Sequence, residues 1–208
     1  MKKFIKNIKK SLESELPGDN SHQKMSPETR YAENISFAGK KAKESAVLIL
    51  IYGDRSLSIN ELQIVLIKRN DDGQPHSGQI AFPGGRYEDR DKELINTAIR
   101  EAEEEIGISK GKINILGKLT SLYIPVSNFN VCPVVAYCSD NLEFKPNHSE
   151  VEYIIKVKIS DLINAKIHKK KINRYDNEFV IPYFDFDNEH VWGATAMILS
   201  EFRDIITK

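Results

Sequence analysis

The chain is poor in several things at once. It has two cysteines, no membrane-length apolar run and no net charge, with 30 basic residues against 30 acidic. A balanced charge gives no general reason to expect a nucleic acid or an anionic membrane as partner. No apolar stretch reaches the roughly 18 residues that a membrane span needs. The N-terminal MKKFIKNIKKSLESELPG is basic, but Lys6, Lys9 and Lys10 interrupt any signal-peptide core. Cys132 and Cys138 sit in apolar, strand-like sequence without CxxC spacing or clustered histidines. They read as buried free thiols, which suits a reducing cytoplasm. Internal repeats and low-complexity linkers are also missing.

What remains is ordinary globular material, 208 residues with 40% hydrophobic and 29% charged, enough for a domain with a real core. Residues 1–40 read as a helical and loop-like extension. Its first helix is amphipathic, with Phe4, Ile5, Ile8 and Leu12 on one side, expected to dock on the same chain or a dimer mate. Residues 41–208 form the main domain. Strands are expected at Ala46–Tyr52, Leu62–Ile67, Ile113–Leu116, Val131–Tyr137, Tyr153–Ile159 and Phe179–Phe184, with a short extended piece at Gln79–Phe82 that Pro83-Gly84-Gly85 breaks. Helices are expected from about Lys92 to Ile106 and from about Ala194 to Ile206. Strands interleaved with helices predict an α/β fold, a sandwich with helices on both faces of a mixed β-sheet.

The first of these helices breaks local rules. Ile95, Ala98, Ile99, Ala102 and Ile106 share one side, while Glu101, Glu104 and Glu105 crowd an adjoining face. Like charges at this spacing repel, and the negative C-terminal end of the helix dipole repels them further. Such conflicts are expected at functional sites. A hard divalent cation, Mg²⁺ or Mn²⁺, would resolve this one, because it takes carboxylate oxygens and leaves room for water and phosphate. The alternative is a solvated acidic face. Upstream, Gly84-Gly85 lets backbone approach a ligand, and Arg100 adjoins the acids. Glu103 points off the acidic face and is expected to be solvated and dispensable.

Arg100-Glu101-Ala102-Glu103-Glu104-Glu105-Ile106-Gly107-Ile108 resembles the second half of a Nudix box, the signature of hydrolases that cleave nucleoside diphosphates linked to another group. The first half departs from the pattern. The family glycine and glutamate fall at Arg86 and Lys92, whereas this chain has Gly85, and Asp91 and Glu93 flank Lys92. A loop one residue longer accounts for the offset. The departure resembles the coenzyme A pyrophosphatase branch, with Gly84-Gly85-Arg86-Tyr87-Glu88-Asp89-Arg90-Asp91 preceded by Leu66-Ile67-Lys68-Arg69-Asn70 and His76-Ser77-Gly78-Gln79-Ile80-Ala81-Phe82-Pro83. Further similarity lies in Ile124–Phe129, Pro146-Asn147 with Glu150-Val151, and Val191–Ala196, so it spans roughly residues 44–206.

The resemblance implies an α/β/α sandwich. It also implies metal-dependent cleavage of coenzyme A or acyl-coenzyme A to 4′-phosphopantetheine, or its acyl form, and adenosine 3′,5′-bisphosphate. Glu101 and Glu105 are the expected metal ligands, with Glu104 a third ligand or the base and Glu150 a second candidate base. Arg100 would orient the acids. Arg69, then Arg86, would suit the 3′-phosphate through guanidinium hydrogen bonds, unless Arg69 forms a structural ion pair at its strand end. Gln79 is expected to hold a loop, His76 to finish a turn or else bind phosphate, Phe82 to fill core or stack on adenine, and Gly84 and Gly85 to approach substrate. Trp192 is expected to pack at the start of the last helix. The basic segment His168–Asp176 has no clear reading beyond shaping the pocket. A small nucleotide is the expected partner, and the resemblance leaves room for a homodimer. Competing readings are a Nudix enzyme for ADP-ribose or NADH, and a non-catalytic nucleotide-binding domain, which would be expected to lose box carboxylates.

Overall fold

Two uninterrupted apolar runs become neighbouring strands at the centre of a sheet buried on both faces, as such runs do when helices cover both sides. The computed structural model describes residues 1–27, 41–54, 56–73, 76–174 and 177–207. The expectations that fall on residues 28–40 and 175–176 lie outside these.

Among the described residues the main sheet has eight strands: β1 (Lys43–Tyr52), β2 (Gln63–Arg69), β3 (Ile80–Ala81), β4 (Gly84–Arg86), β5 (Asn114–Lys118), β6 (Leu122–Ile124), β7 (Phe129–Cys138) and β8 (Val151–Lys158). The central pair β1–β7 is parallel and the other pairings are antiparallel, so the sheet is mixed. A second, three-stranded antiparallel sheet joins β9 (His168–Arg174), β10 (Asn177–Phe186) and β11 (Glu189–Trp192). The helices are α1 (Lys2–Leu12), α2 (Asp19–His22), α3 (Leu94–Ile106), α4 (Ile159–Asn164) and α5 (Gly193–Ile206).

Strand alternation divides the core. Ala46, Leu48, Leu50 and Tyr52 of β1 join Ala98, Ala102 and Ile106 of α3 on one face. Ile49 and Ile51 join Ile8 and Leu12 of α1 and Ile198, Leu199 and Phe202 of α5 on the other. The amphipathic α1 therefore docks on its own chain, with Phe4 and Ile5 packed against the same cluster. Each such aliphatic side chain contributes about 1.5–3 kcal/mol by leaving water. Cys132 and Cys138 are buried free thiols.

The opening that positions the site lies beside β1. Strand β2 pairs with β1 only at Ile51–Ile64 and Tyr52–Gln63, while β4 pairs with β1 at Ser45, Ala46 and Val47. Between these contacts the two strands diverge and β3–β4 fill the gap. The extended segment breaks at Pro83 as expected, but Gly84-Gly85 start a new strand rather than a loop. Gly84 has φ +155, and a Cβ there would sit 2.4 Å from the Ala46 carbonyl oxygen. Only glycine permits that approach.

Two further expectations shift. Helix α3 begins at Leu94, because residues 89–91 form a 3₁₀ turn and Lys92 takes φ 64, which turns Asp91 inward. The strand expected to reach Ile159 ends at Lys158, where the short helix α4 begins, and the basic segment from His168 is strand β9.

Candidate active site

Helix α3 carries the acids to the mouth of the opening. It ends at Gly107, whose φ of 70 supplies the left-handed cap. Glu105 is 1% exposed. Its Oε2 accepts a 2.8 Å hydrogen bond from the Gly84 N–H, and Oε1 lies 3.5 Å from Arg69 Nη1 at the end of β2. Burial pushes its pKa up to about 8, more than Gly84 and Arg69 pull it down, and the charges of Glu101 and Glu150 push the same way. Glu101 is also raised, chiefly by burial, with Glu104 and Glu150 adding to it against the pull of Arg100. A Cβ on Gly85 would sit 2.5 Å from the Glu101 carboxyl, so the glycine makes room for that group.

Arg100 organises the cluster. Its Nε and Nη2 donate to the two oxygens of Asp91 at 2.8 and 3.0 Å, a bidentate pair. Nη1 reaches Glu101 at 2.8 Å and Glu104 at 3.1 Å, and Nη2 also donates to the Arg86 carbonyl. Asp91 is buried and accepts further bonds from the Glu88 N–H and Thr97 Oγ1. Its hydrogen bonds with Arg100, first of all, hold its carboxyl far below the usual range.

Beside the acids lies a cavity of about 300 Å³. Val47, Ile80, Ile124, Phe129 and Ile198 give it apolar walls, and Arg69, His76, Gln79 and Ser127 a polar side. His76 Nδ1 lies 3.2 Å from Gln79 Oε1 and its Nε2 3.1 Å from Ser127 Oγ. Buried carboxylates facing glycine backbone, next to a cavity with arginine at its edge, are suited to a cation and an anionic substrate.

Residues 42–177 match the family model described as the NUDIX domain. The chain belongs to the Nudix family. It is 34% identical over 140 residues to an uncharacterized Nudix hydrolase, NudL, of Yersinia pestis (strain Pestoides F), covering 67% of this chain and 70% of that protein. The same figures hold for NudL of Yersinia pseudotuberculosis serotype O:1b. A MutT/nudix family protein of Enterococcus faecalis superposes with a TM-score of 0.54 at 15% identity, covering 91% of this chain and 73% of that one. The Nudix hydrolase RenU of M. smegmatis gives 0.53 at 14%, covering 80% and 86%. These structures share the fold, an α/β sandwich with a mixed sheet between helices. The chain is thus a Nudix pyrophosphohydrolase.

In this Nudix hydrolase the expected residues fall at several depths. Glu101 and Glu105 lie behind Gly85 and Gly84, which line the cavity. Glu104 is more exposed and pairs with Arg100 and with Arg90, 3.6 Å away. Glu150, exposed just before β8, is close enough for its charge to act on both Glu101 and Glu105. Arg69 makes the strand-end ion pair. Arg86 is exposed on β4 and lines the cavity. Phe82 is 2% exposed and belongs to the core, although it touches the cavity. His76 holds its turn at φ 70. Gln79 accepts from the Arg69 N–H and donates to the His76 carbonyl through its backbone. Glu103 is exposed, but its Oε1 accepts a 2.9 Å bond from the Lys110 N–H, so it ties down the segment after α3.

Asp91 is the residue that sequence reasoning left without a role. The signal was present, since it stands one place before the family glutamate position. It serves Arg100 instead of the solvent.

Among the described residues no three carboxylates converge as a ready-made metal cage. The donors nonetheless fit a hard divalent ion. Such an ion needs one or two carboxylates besides water and phosphate, and Glu101 and Glu105 are two whose burial disfavours an uncompensated charge.

Proposed function

We propose that this Nudix hydrolase cleaves the pyrophosphate of coenzyme A or acyl-coenzyme A. Water adds to one phosphorus, the bridging P–O bond breaks, and the products are 4′-phosphopantetheine or its acyl form and adenosine 3′,5′-bisphosphate. The observation that carries this reading is the cavity wall. The segment from Arg69 to Arg86, which resembles the coenzyme A branch, forms one side of a pocket that meets the acids of α3.

Glu101 and Glu105 would hold Mg²⁺ or Mn²⁺, with Glu104 as a third ligand or as the base. A bound divalent cation neutralises phosphoryl oxygens and lowers the pKa of water. Glu150 is the second candidate base, as its carboxylate is free of helix constraint and near both acids. Arg100 acts by position, holding Glu101 against Gly85 while anchored on Asp91. Gly84 fixes the Glu105 carboxylate through its N–H, so little reorganisation is needed as charge develops. In this reading Arg69 and Arg86 bind the diphosphate rather than the 3′-phosphate that the resemblance gave them, because Arg69 is drawn to Glu105 at the acid cluster, and Gln79 keeps the loop above them in place. Residues 1–40 serve as an extension of the catalytic domain, and of these the described residues 1–27 supply Ile8, Leu12 and Met25 to its core. Work in the cytoplasm belongs to the same reading.

The test is turnover of coenzyme A, ADP-ribose and NADH side by side with Mg²⁺, Mn²⁺ or EDTA, products separated by chromatography. Metal-dependent release of adenosine 3′,5′-bisphosphate with coenzyme A preferred is the expected result. Preference for ADP-ribose or NADH would refute the substrate. No metal-dependent hydrolysis of any of the three would favour a nucleotide-binding role instead.

A further inference from the structure

The basic strand β9 gains a context in the fold. Lys170 is half-buried, and its Nζ donates to His190 Nδ1 at 3.1 Å and lies 5.2 Å from the centre of the Tyr183 ring. Tyr183 packs between His190 and His168, with ring centres 4.4 and 5.4 Å away. Lys68 of β2 is also half-buried and pairs with Tyr153 of β8, whose hydroxyl bonds Glu189 next to His190, which brings this end of β2 beside β11; burial, and then Lys68, lowers the Lys170 pKa. Among the described residues neither lysine has a carboxylate within 4.0 Å. The acids nearby are engaged elsewhere. Asp185 faces His190 at 3.8 Å and Glu189 bonds the Tyr153 hydroxyl. Two half-buried ammonium groups that repel each other, without a counter-charge, are a cost to folding unless something anionic comes between them.

The patch adjoins the active-site cavity. Lys68 pairs across the sheet with Ile80, a cavity wall, and immediately precedes Arg69. Strand β11, which carries His190, leads directly into Ala194 and Thr195, also cavity walls. Thr195 Oγ1 donates to the Ile80 carbonyl, which locks the two sides together. Arg69, meanwhile, is held by Glu105.

We propose that Lys68 and Lys170, backed by His190 and walled by Tyr183, bind the phosphate monoester of the substrate nucleotide. In coenzyme A, on the reading of function above, this is the 3′-phosphate. A monoester carries close to two negative charges at neutral pH and offers three acceptor oxygens. Two ammonium groups match that charge, whereas a diphosphate bridge is better served by the cation and arginines at the mouth.

The test needs no turnover. Adenosine 3′,5′-bisphosphate and adenosine 5′-monophosphate are titrated calorimetrically into the full chain and into the Lys170→Met, Lys68→Met and Lys169→Met variants. Methionine keeps the unbranched stem over Tyr183 and removes the charge. Lys169, exposed and one residue out of phase on β9, is the control. The wild type should prefer the bisphosphate by about tenfold, and each of the first two variants should bring the preference to about twofold. Lys169→Met should keep it. Equal affinity for both nucleotides in the wild type, or a preference that survives both Lys68→Met and Lys170→Met, overturns the proposal whatever the enzyme cleaves. A lysine-dependent preference in a chain that fails to hydrolyse coenzyme A would uphold the site and discard the coenzyme A reading.

Discussion

Two glutamates, one on each face of the sheet, are almost fully buried on helices and behave in opposite ways. Glu201 of α5 is 0% exposed. It accepts bonds from Thr120 Oγ1 at 2.7 Å, His22 Nε2 at 3.0 Å, and the Gly18 and Thr120 N–H groups at 3.1 and 3.3 Å. Burial pushes its pKa up, but the hydrogen bonds of His22 and Thr120 outweigh burial and the net shift is downward. Glu105 of α3 has a single backbone donor and a long arginine contact, with other acids around it, and its net shift is upward. The first carboxylate is satisfied by the protein and fastens the N-terminal segment to α5. The second is left short of positive charge. Burial of an acid alone does not mark a candidate site; what distinguishes Glu105 from Glu201 is burial with fewer donors.

The largest expected effect breaks the comparison at the catalytic end. Glu105→Gln should lower kcat by on the order of 10³-fold, with an unchanged circular dichroism spectrum, because it removes a proposed cation ligand and almost no volume. Near-normal turnover in the folded variant would move Glu105 to the structural class.

Glu201→Gln should do the reverse. It should cost about 3 kcal/mol of stability by leaving His22 and its neighbours poorly matched, while the folded fraction keeps its kcat. The contribution of Glu201 is complete above its unfolded-state pKa, near 4.5, and is lost as pH falls through the lower folded value. The gap in Tm between wild type and variant should therefore be widest at pH 7 and close on acidification. A gap constant down to pH 3 would show that the charge is not what matters.

Smaller effects sharpen the picture. Arg100→Lys loses the bidentate hold on Asp91 and should lower kcat by about 10- to 100-fold with little change in KM. Steady-state kinetics of Asp91→Asn should move the same way if Asp91 acts through Arg100. Glu103→Ala should leave kcat near that of the wild type and cost about 0.5 kcal/mol in denaturant melts, the loss of its bond to the Lys110 N–H.

The parts of this molecule that are local in sequence were legible. Apolar runs, the α3 stripe and the Gly107 stop are set by neighbours within a turn or two. They predicted β1, β2, β7, α3 and α5 within a few residues. The acid cluster was visible because it violated those same local rules. What escaped depends on distant partners. The extended geometry of Gly84-Gly85 exists only against Ala46. Asp91 has a role only once Lys92 turns it toward Arg100. Strand β9, polar and basic, has no apolar alternation to announce it and is defined by its register with β10. The Arg69–Glu105 pair required β2 and α3 to meet, which no spacing along the chain reveals.

The central claim is that the crowded acids of α3 await a cation. Thermal unfolding of wild type and Glu105→Gln with EDTA or with Mn²⁺ tests it without any assumption about substrate. A ligand that binds only the folded state raises Tm by an amount that grows with the logarithm of its concentration over its Kd. Mn²⁺ should raise the Tm of the wild type and leave that of Glu105→Gln nearly unmoved. Equal rises in both proteins, or none in the wild type, would contradict the account.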